Sequence, residues 1–206
     1  MVGLDLKFDD LGSRLRCDVA KEDDWQRVFR FMRELGGWDI LVNNAGISGR
    51  SPGPSDVEHV ALKDWQAVLD TNLTGCFLGC QTAIRVMRAQ SEGGVIINIG
   101  SRSGIQPRRD VLAYAASKAA VRHLTRSVAL YCQDRGYDIR CNCVNPGSIA
   151  TPMWEAFTGA ESIAATTGTP ADVAKVVAFL SSRDAPFVTG AEISVDGGGV
   201  ARAERS

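Results

Sequence analysis

An α/β domain built on a parallel sheet is the fold class this sequence predicts, and three observations carry it. Short apolar runs with strand character alternate with amphipathic helical segments from residue 2 to residue 195, the order that βαβ units with right-handed crossovers produce. The run Val95-Ile96-Ile97-Asn98-Ile99 is almost continuously apolar, as a strand covered on both faces must be. The 206 residues are 45% hydrophobic and 23% charged, which suits one domain with a sizeable core. There is no repeat, no low-complexity tract and no sign of a second domain, so residues 1–206 read as one unit.

Each element follows in order. Residues 2–6 read as a short buried strand ending near Asp5. Residues 14–19, Arg14-Leu15-Arg16-Cys17-Asp18-Val19, read as a second strand with Asp18 at its carboxyl end. Residues 22–35 form an amphipathic helix with Trp25, Val28, Phe29 and Met32 on one side, stopped by Gly36-Gly37. Asp39-Ile40-Leu41-Val42 is an apolar strand that leads into Asn43-Asn44-Ala45-Gly46. Serines and prolines make 49–57 a loop. Residues 63–90 read as one long helix containing Asn72. After the strand at 95–99, Gly100 and Ser101 precede a helix that carries Tyr114 and continues through 119–130. Residues 139–145 form another strand, which Pro146-Gly147 turns into Ser148-Ile149-Ala150-Thr151-Pro152. Pro170 opens a helix to residue 180, and 191–195 is the last strand before Asp196-Gly197-Gly198.

Composition excludes several classes of function. A net charge of −1 gives no broad pull toward nucleic acid or a membrane surface. No window of about 18 apolar residues is present, so no membrane span is expected. The segment Met1-Val2-Gly3-Leu4-Asp5 lacks the basic and long apolar parts of a signal peptide. The six cysteines lie in no cysteine-dense loop, which fits a reducing compartment and a cytoplasmic location. Cys76 and Cys80 share a helix face and Cys141 and Cys143 share a strand face. Small buried apolar residues explain them better than a zinc site, for which no ligand-rich loop exists, so no metal is expected.

The chemistry concentrates between residues 95 and 130. Ser101 sits just past the carboxyl end of a buried strand, where ligands bind in open α/β sheets. Tyr114 and Lys118 are four residues apart on a helix and therefore share a face. A nearby ammonium favours phenolate, which is expected to bring the phenol down from its ordinary value near ~10. Such a tyrosine exchanges a proton with an alcohol or carbonyl oxygen, and Ser101 can hold that same oxygen by its hydroxyl.

Taken together and in this order, Asp18-Val19, Asn43-Asn44-Ala45-Gly46, Asn72, Ser101, Tyr114-x-x-x-Lys118, Pro146-Gly147 with Thr151, and Asp196-Gly197-Gly198 resemble the short-chain dehydrogenase/reductase family over nearly the whole chain. The resemblance implies a Rossmann-like doubly wound parallel sheet and an NAD(P)-dependent oxidoreductase that interconverts a secondary alcohol and a ketone. The segment from Gly136 to Trp154 also resembles dehydrogenases of hydroxysteroids and cyclic alcohols. Tyr114 is implied as the acid/base, Ser101 as the orienter of the substrate oxygen, and Lys118 as a partner of both the phenol and the nicotinamide ribose. Asn72 is implied to hold a water in a proton relay. Asn44, Ala45 and Gly46 border the adenosine ribose, Asp18 and Val19 meet the adenine, and Pro146, Gly147, the Ile149 backbone and Thr151 hold the nicotinamide end. Asp5, at a strand end, is placed to accept hydrogen bonds from the adenosine ribose and to repel a 2′-phosphate, so NAD is expected over NADP. A small-molecule alcohol or ketone is the implied partner. A homodimer or homotetramer is implied too, packed through Phe77, Leu78, Ile84 and Met87 on one helix and Val121, Leu124, Val128 and Leu130 on another. His59 and His123 match no motif of the family.

The sequence departs from the family in two places. The opening strand, the T-G-x-x-x-G-x-G turn and the first helix, which would bind the pyrophosphate, have no counterpart in the 206 residues. The fold is therefore expected to lack that strand, and a catalytically inactive truncated remnant or partner subunit stands as the alternative function. The resemblance places the missing strand between 2–6 and 40–42, so either a gap or a direct pairing of those two strands is expected, with unpaired backbone groups left in the interior. The second departure follows Pro152, where only 17 residues precede Pro170 and the substrate lid is expected to be cut down. Thr166 stands there where a basic residue is common.

Overall fold

The computed structural model describes residues 3–5, 14–49, 55–158 and 167–202. Strands β1 (Gly3–Asp5) and β2 (Arg14–Arg16) form a parallel pair of their own. A second parallel sheet runs in the order β3 (Ile40–Asn43), β4 (Gly94–Ile99), β5 (Ile139–Pro146) and β6 (Glu192–Val195). The register sets Leu41 beside Ile96, Ile96 beside Cys141, and Val144 beside Ile193.

Alternation along β4 explains the layers. Ile96 faces a core made with Val28 and Met32 of α1 (Glu22–Glu34), Ala83 and Met87 of α3 (Gly75–Met87), and Val121 and Ala129 of α4 (Leu112–Asp134). Val95 and Ile97 face the other way and pack with Val144 and Leu180, the latter from α6 (Pro170–Ser181). Two-sided cover is what a run of apolar residues at successive positions requires. A Thr169–Asp172 capping box and Pro170 open α6.

Three expectations are corrected, and the start of the segment read as a cut-down lid is located. The second strand stops at Arg16, because Cys17 and Asp18 leave the ladder, although the Cys17 N–H still donates to Asp5 O at 3.1 Å. The helix expected at 63–90 is interrupted: α2 (Leu62–Leu69) passes through a π turn (Asp70–Thr74) into α3. A short helix α5 (Pro152–Thr158) occupies the start of the segment read as a cut-down lid, while Thr166 lies outside the described residues. Of the residues expected to pack on a second subunit, Leu78, Met87 and Val121 belong to the core, whereas Phe77 (44% exposed) and Leu130 (58%) are on the surface.

The sheet is split where a strand was expected to be missing. Among the described residues β1 pairs with β2 and not with β3, so of the two expected outcomes the direct pairing of β1 with β3 is not the one found. Ile40 and Val42, on one face of β3, are 44% and 40% exposed.

Candidate active site

The carboxyl end of β4 is shaped by glycine. A Cβ on Gly100 would run into Asn145 Oδ1 and approach Cys143 Sγ to 2.8 Å, so only glycine lets the chain leave the strand there. Ser101 follows in extended conformation, buried, and its Oγ accepts the Ser103 N–H at 3.1 Å to cap the 3-10 turn Arg102–Gly104. That turn lies directly on α4: a Cβ on Gly104 would sit 2.6 Å from the Lys118 carbonyl carbon. The close approach brings the first turns of α4 against Ser101.

Tyr114 and Ser101 are joined by a side-chain hydrogen bond. Lys118 lies one helical turn on, 5% exposed, with Nζ 5.8 Å from the centre of the Tyr114 ring. Its ammonium donates to Ile99 O at 2.7 Å. Burial pushes the Tyr114 phenol above its ordinary range, and the hydrogen bond with Ser101 pulls it partly back. This corrects the expected lowering by Lys118: the ammonium is aimed at the Ile99 carbonyl, and desolvation of the phenol wins. Burial also lowers the Lys118 pKa, against smaller opposing effects of Cys76 and Cys143.

Asn72 sits in the π turn, 1% exposed. A π bulge within a helix recurs at functional sites because it re-aims one side chain. Here the Asn72 amide accepts from Ile47 N at 2.8 Å, donates to Ile47 O at 3.0 Å, and donates to Ser117 Oγ at 3.1 Å. Ser117 in turn donates to Tyr114 O at 2.7 Å. Asn72 thus ties the loop after β3 to the Tyr114 helix. Ser117 stood inside the quoted motif without a role; its buried hydroxyl between Tyr114 and Lys118 is the signal that could have marked it.

The remaining expected residues line the carboxyl ends of the parallel strands. Asn44, Ala45 and Gly46 follow β3. A Cβ on Gly46 would stand 3.3 Å from Asn72 Oδ1 and 3.5 Å from Lys118 Nζ, so the missing side chain keeps a way open to both. Pro146 and Gly147 close β5, and Gly147 packs so tightly that a Cβ would come within 2.7 Å of the Asp196 Cβ. Thr151 Oγ1 donates to Ile149 O and accepts from Trp154 N, both at 3.3 Å. Asp5, Asp18 and Val19 belong to the separate β1–β2 unit. Asp5 is exposed at the end of β1. The Asp18 carboxylate accepts the Ala20 N–H at 3.1 Å and meets Lys21 at 3.7 Å. Val19 abuts the backbone at Gly75, where a Cβ would lie 2.8 Å from its Cγ2. Ser101, Tyr114, Lys118, Asn72 and Gly46 are thus brought into one cluster, and the three residues of the β1–β2 unit are not joined to it.

A nicotinamide dinucleotide fits one end of this arrangement. The open surface at Gly46 beside a buried ammonium suits a ribose hydroxyl. Asn145 Nδ2, buried at the end of β5, has no hydrogen-bond partner among the described residues, which suits a polar ligand. The described residues at the carboxyl ends of the strands therefore fit the nicotinamide–ribose portion.

The chemistry these groups support is proton transfer to an oxygen held between a serine hydroxyl and a phenol. Comparison with known proteins agrees in kind. The model of the family described as Enoyl-(Acyl carrier protein) reductase matches residues 6–199. The 3beta-hydroxysteroid dehydrogenase 1 of Eggerthella lenta is 42% identical over 194 residues, covering 89% of this chain and 72% of that protein. The NADP-dependent (R)-specific alcohol dehydrogenase of Lentilactobacillus kefiri is 36% identical over 190 residues, covering 88% and 74%. The crystal structure of levodione reductase superposes with a TM-score of 0.83 at 31% identity, covering 92% of this chain and 78% of that one.

Proposed function

Because the chain belongs to the short-chain dehydrogenase/reductase family, we propose that it interconverts a secondary alcohol and a ketone with NAD(P), acting on a hydroxysteroid or another cyclic alcohol. The observation that carries the reading is the Tyr114–Ser101 hydrogen bond at the end of β4, with Lys118 one turn away. The relatives' names support the substrate class. Asp5 supports NAD over NADP, since a carboxylate at a ribose repels a 2′-phosphate.

When bound, the nicotinamide supplies or takes the hydride. Ser101 Oγ fixes the substrate oxygen beside the phenol. In the reducing direction Tyr114 Oη gives its proton to that oxygen as negative charge develops there, and the raised pKa keeps the phenol protonated at neutral pH. Lys118, Gly46 and Asn145 are the groups that would hold the ribose and carboxamide. Asn72 holds the Ile47 loop and the Tyr114 helix at a fixed spacing. Function as a homodimer or homotetramer through the surface with Phe77 and Leu130 belongs to the same reading.

The divided sheet favours a second reading, a non-catalytic member or partner subunit. Titration with NADH followed by fluorescence separates the two. Saturable binding together with alcohol-dependent reduction of NAD supports the enzyme, and neither signal at millimolar cofactor would sink it. Among the described residues no helix is long and apolar enough to cross a membrane.

A further inference from the structure

We propose that an arginine-lined pocket beside Ser101 binds the anionic end of the substrate, so that the alcohol or ketone carries a carboxylate or phosphate. The word substrate rests on the oxidoreductase reading above; the anion site itself does not. The pocket holds about 280 Å³, and Arg102, Ser103, Gln106, Arg108, Gly199 and Arg202 line it. Arg102 and Ser103 directly follow Ser101, and the Ser103 N–H is held by Ser101 Oγ at 3.1 Å. The pocket wall and the hydroxyl that orients the substrate oxygen therefore share one turn. Arg102 reaches across to Ser148 Oγ at 3.5 Å, and Gln106 Nε2 donates to Gly199 O at 3.3 Å, which draws the segment after β6 against the same turn. A Cβ on Gly199 would stand 2.5 Å from Arg102 Nη1, so glycine lets that guanidinium lie over the backbone.

Charge selects the ligand. Arg108 is neutralised by a two-pronged pair with Asp110 at 3.0 and 2.8 Å. The Asp196 carboxylate is occupied by the N–H groups of Gly198 and Val200 at 3.0 and 2.7 Å. Among the described residues Arg102 meets only a neutral hydroxyl, and no carboxylate is paired with Arg202. Two uncompensated guanidinium groups facing one small pocket repel each other until an oxyanion joins them, and their planar forks match carboxylate and phosphate oxygens. The residues expected at the cofactor, Asn44, Gly46, Ile149 and Thr151, do not line this pocket, which favours substrate over cofactor as the source of the anion.

The site is tested on the full chain with inorganic phosphate, read by NMR at the backbone amides of Ser103, Gln106 and Gly199. Saturable shifts are expected there. Arg102→Ala and Arg202→Ala should each weaken phosphate at least tenfold, Arg102→Lys should weaken it less, and Arg183→Ala, which removes a surface partner of Glu92, should leave it unchanged. Absence of saturable shifts in the wild type, or unchanged affinity in both alanine variants, overturns the site. In a Tyr114→Phe background, 4-hydroxycyclohexanecarboxylate should displace phosphate and bind at least tenfold tighter than its methyl ester. Equal affinity of acid and ester, or displacement of phosphate by NADH, overturns the assignment to substrate. Loss of the oxidoreductase reading itself would appear as no turnover of any alcohol by the wild type, with the phosphate shifts intact.

Discussion

Replacing Asn72 by alanine tests the scaffold of the site without touching the phenol, and the cost can be worked from its three hydrogen bonds. Two go to the backbone of Ile47, which is 40% exposed, so water replaces them and only the net value of each bond, about 1 kcal/mol, is lost. The third goes to Ser117, wholly buried, which keeps its own bond to Tyr114 O at 2.7 Å and loses only an incoming N–H, again about 1 kcal/mol. The void left by the amide adds a fraction of a kcal/mol. The sum is about 3 kcal/mol, a large part of the roughly 5–15 kcal/mol that holds a domain folded. Urea denaturation of the two proteins measures it, with an unchanged slope against denaturant. A loss below about 1 kcal/mol would mean that the bridge between the Ile47 loop and α4 is not made in solution. A loss above about 5 kcal/mol would mean that water does not reach Ile47, contrary to its exposure.

Tyr114→Phe keeps the ring and removes the proton, so turnover should fall by about 10²–10⁴-fold with little change in KM; a smaller loss would remove Tyr114 from the acid/base role. Because burial raises the phenol's pKa, ketone reduction, which needs the phenol, should stay level through neutral pH and decline only above the raised value. Alcohol oxidation, which needs phenolate, should climb with pH into the alkaline range, and an oxidation rate that levels off below pH 7 would contradict the burial argument (pH profiles of kcat in both directions decide it). Gly93 has φ 64° and a Cβ there would collide with the Asp138 carbonyl, so Gly93→Ala should cost about 2 kcal/mol or more in thermal or urea unfolding, and a neutral result would refute the packing. All six thiols are buried, and burial pushes Cys17 to about 12 and Cys132 and Cys143 to about 11. Ellman's reagent at pH 8 should therefore titrate the thiols only after unfolding, and rapid reaction of two or more in the native protein would contradict this.

How much was legible in the sequence depended on which force fixed each feature. β4 and β5 were readable because burial on both faces forces a nearly continuous apolar run, and the run is local. Three of the four polar interruptions, Asn98, Asn142 and Asn145, are fully buried, and the partners of Asn98 and Asn142 come from distant segments. Asn98 accepts from Asn43 at 2.9 Å and donates to Thr125 at 3.0 Å, linking β3, β4 and α4. Asn142 bonds to the backbone of Val188 and Ala191. No spacing rule announces such pairs. The π turn was hidden for the same reason, since it depends on the bonds of Asn72 to Ile47 and Ser117. Spacing put Tyr114 and Lys118 on one face, but which acceptor the ammonium takes is set by where β4 ends against α4. The direction of the Tyr114 shift followed from that tertiary detail and was read the wrong way from the helix alone.

The split sheet gives the two halves of the site different anchorage. Ser101, Tyr114, Lys118 and Asn72 stand on a continuous four-stranded sheet, locked by the Asn43–Asn98–Thr125 ladder and by direct packing of the Arg102–Gly104 turn on α4. Asp5, Asp18 and Val19 stand on a two-stranded unit with no ladder to that sheet. Side chains hold it instead: Cys17 is buried in the core, Leu4 and Leu15 pack against it, and Trp25 Nε1 donates to Val19 O at 2.8 Å. One face of β3 is thinly covered, because Ile40 and Val42 are 44% and 40% exposed. Among the described residues the edge of β3 away from β4 has no strand partner, which leaves it able to pair with another strand. The proton-transfer cluster draws on contacts that do not cross the gap, whereas the expected adenosine contacts depend on how α1 seats the β1–β2 pair. On the proposed reading, cofactor affinity and proton-transfer geometry are thus separable, and a change in one need not report on the other.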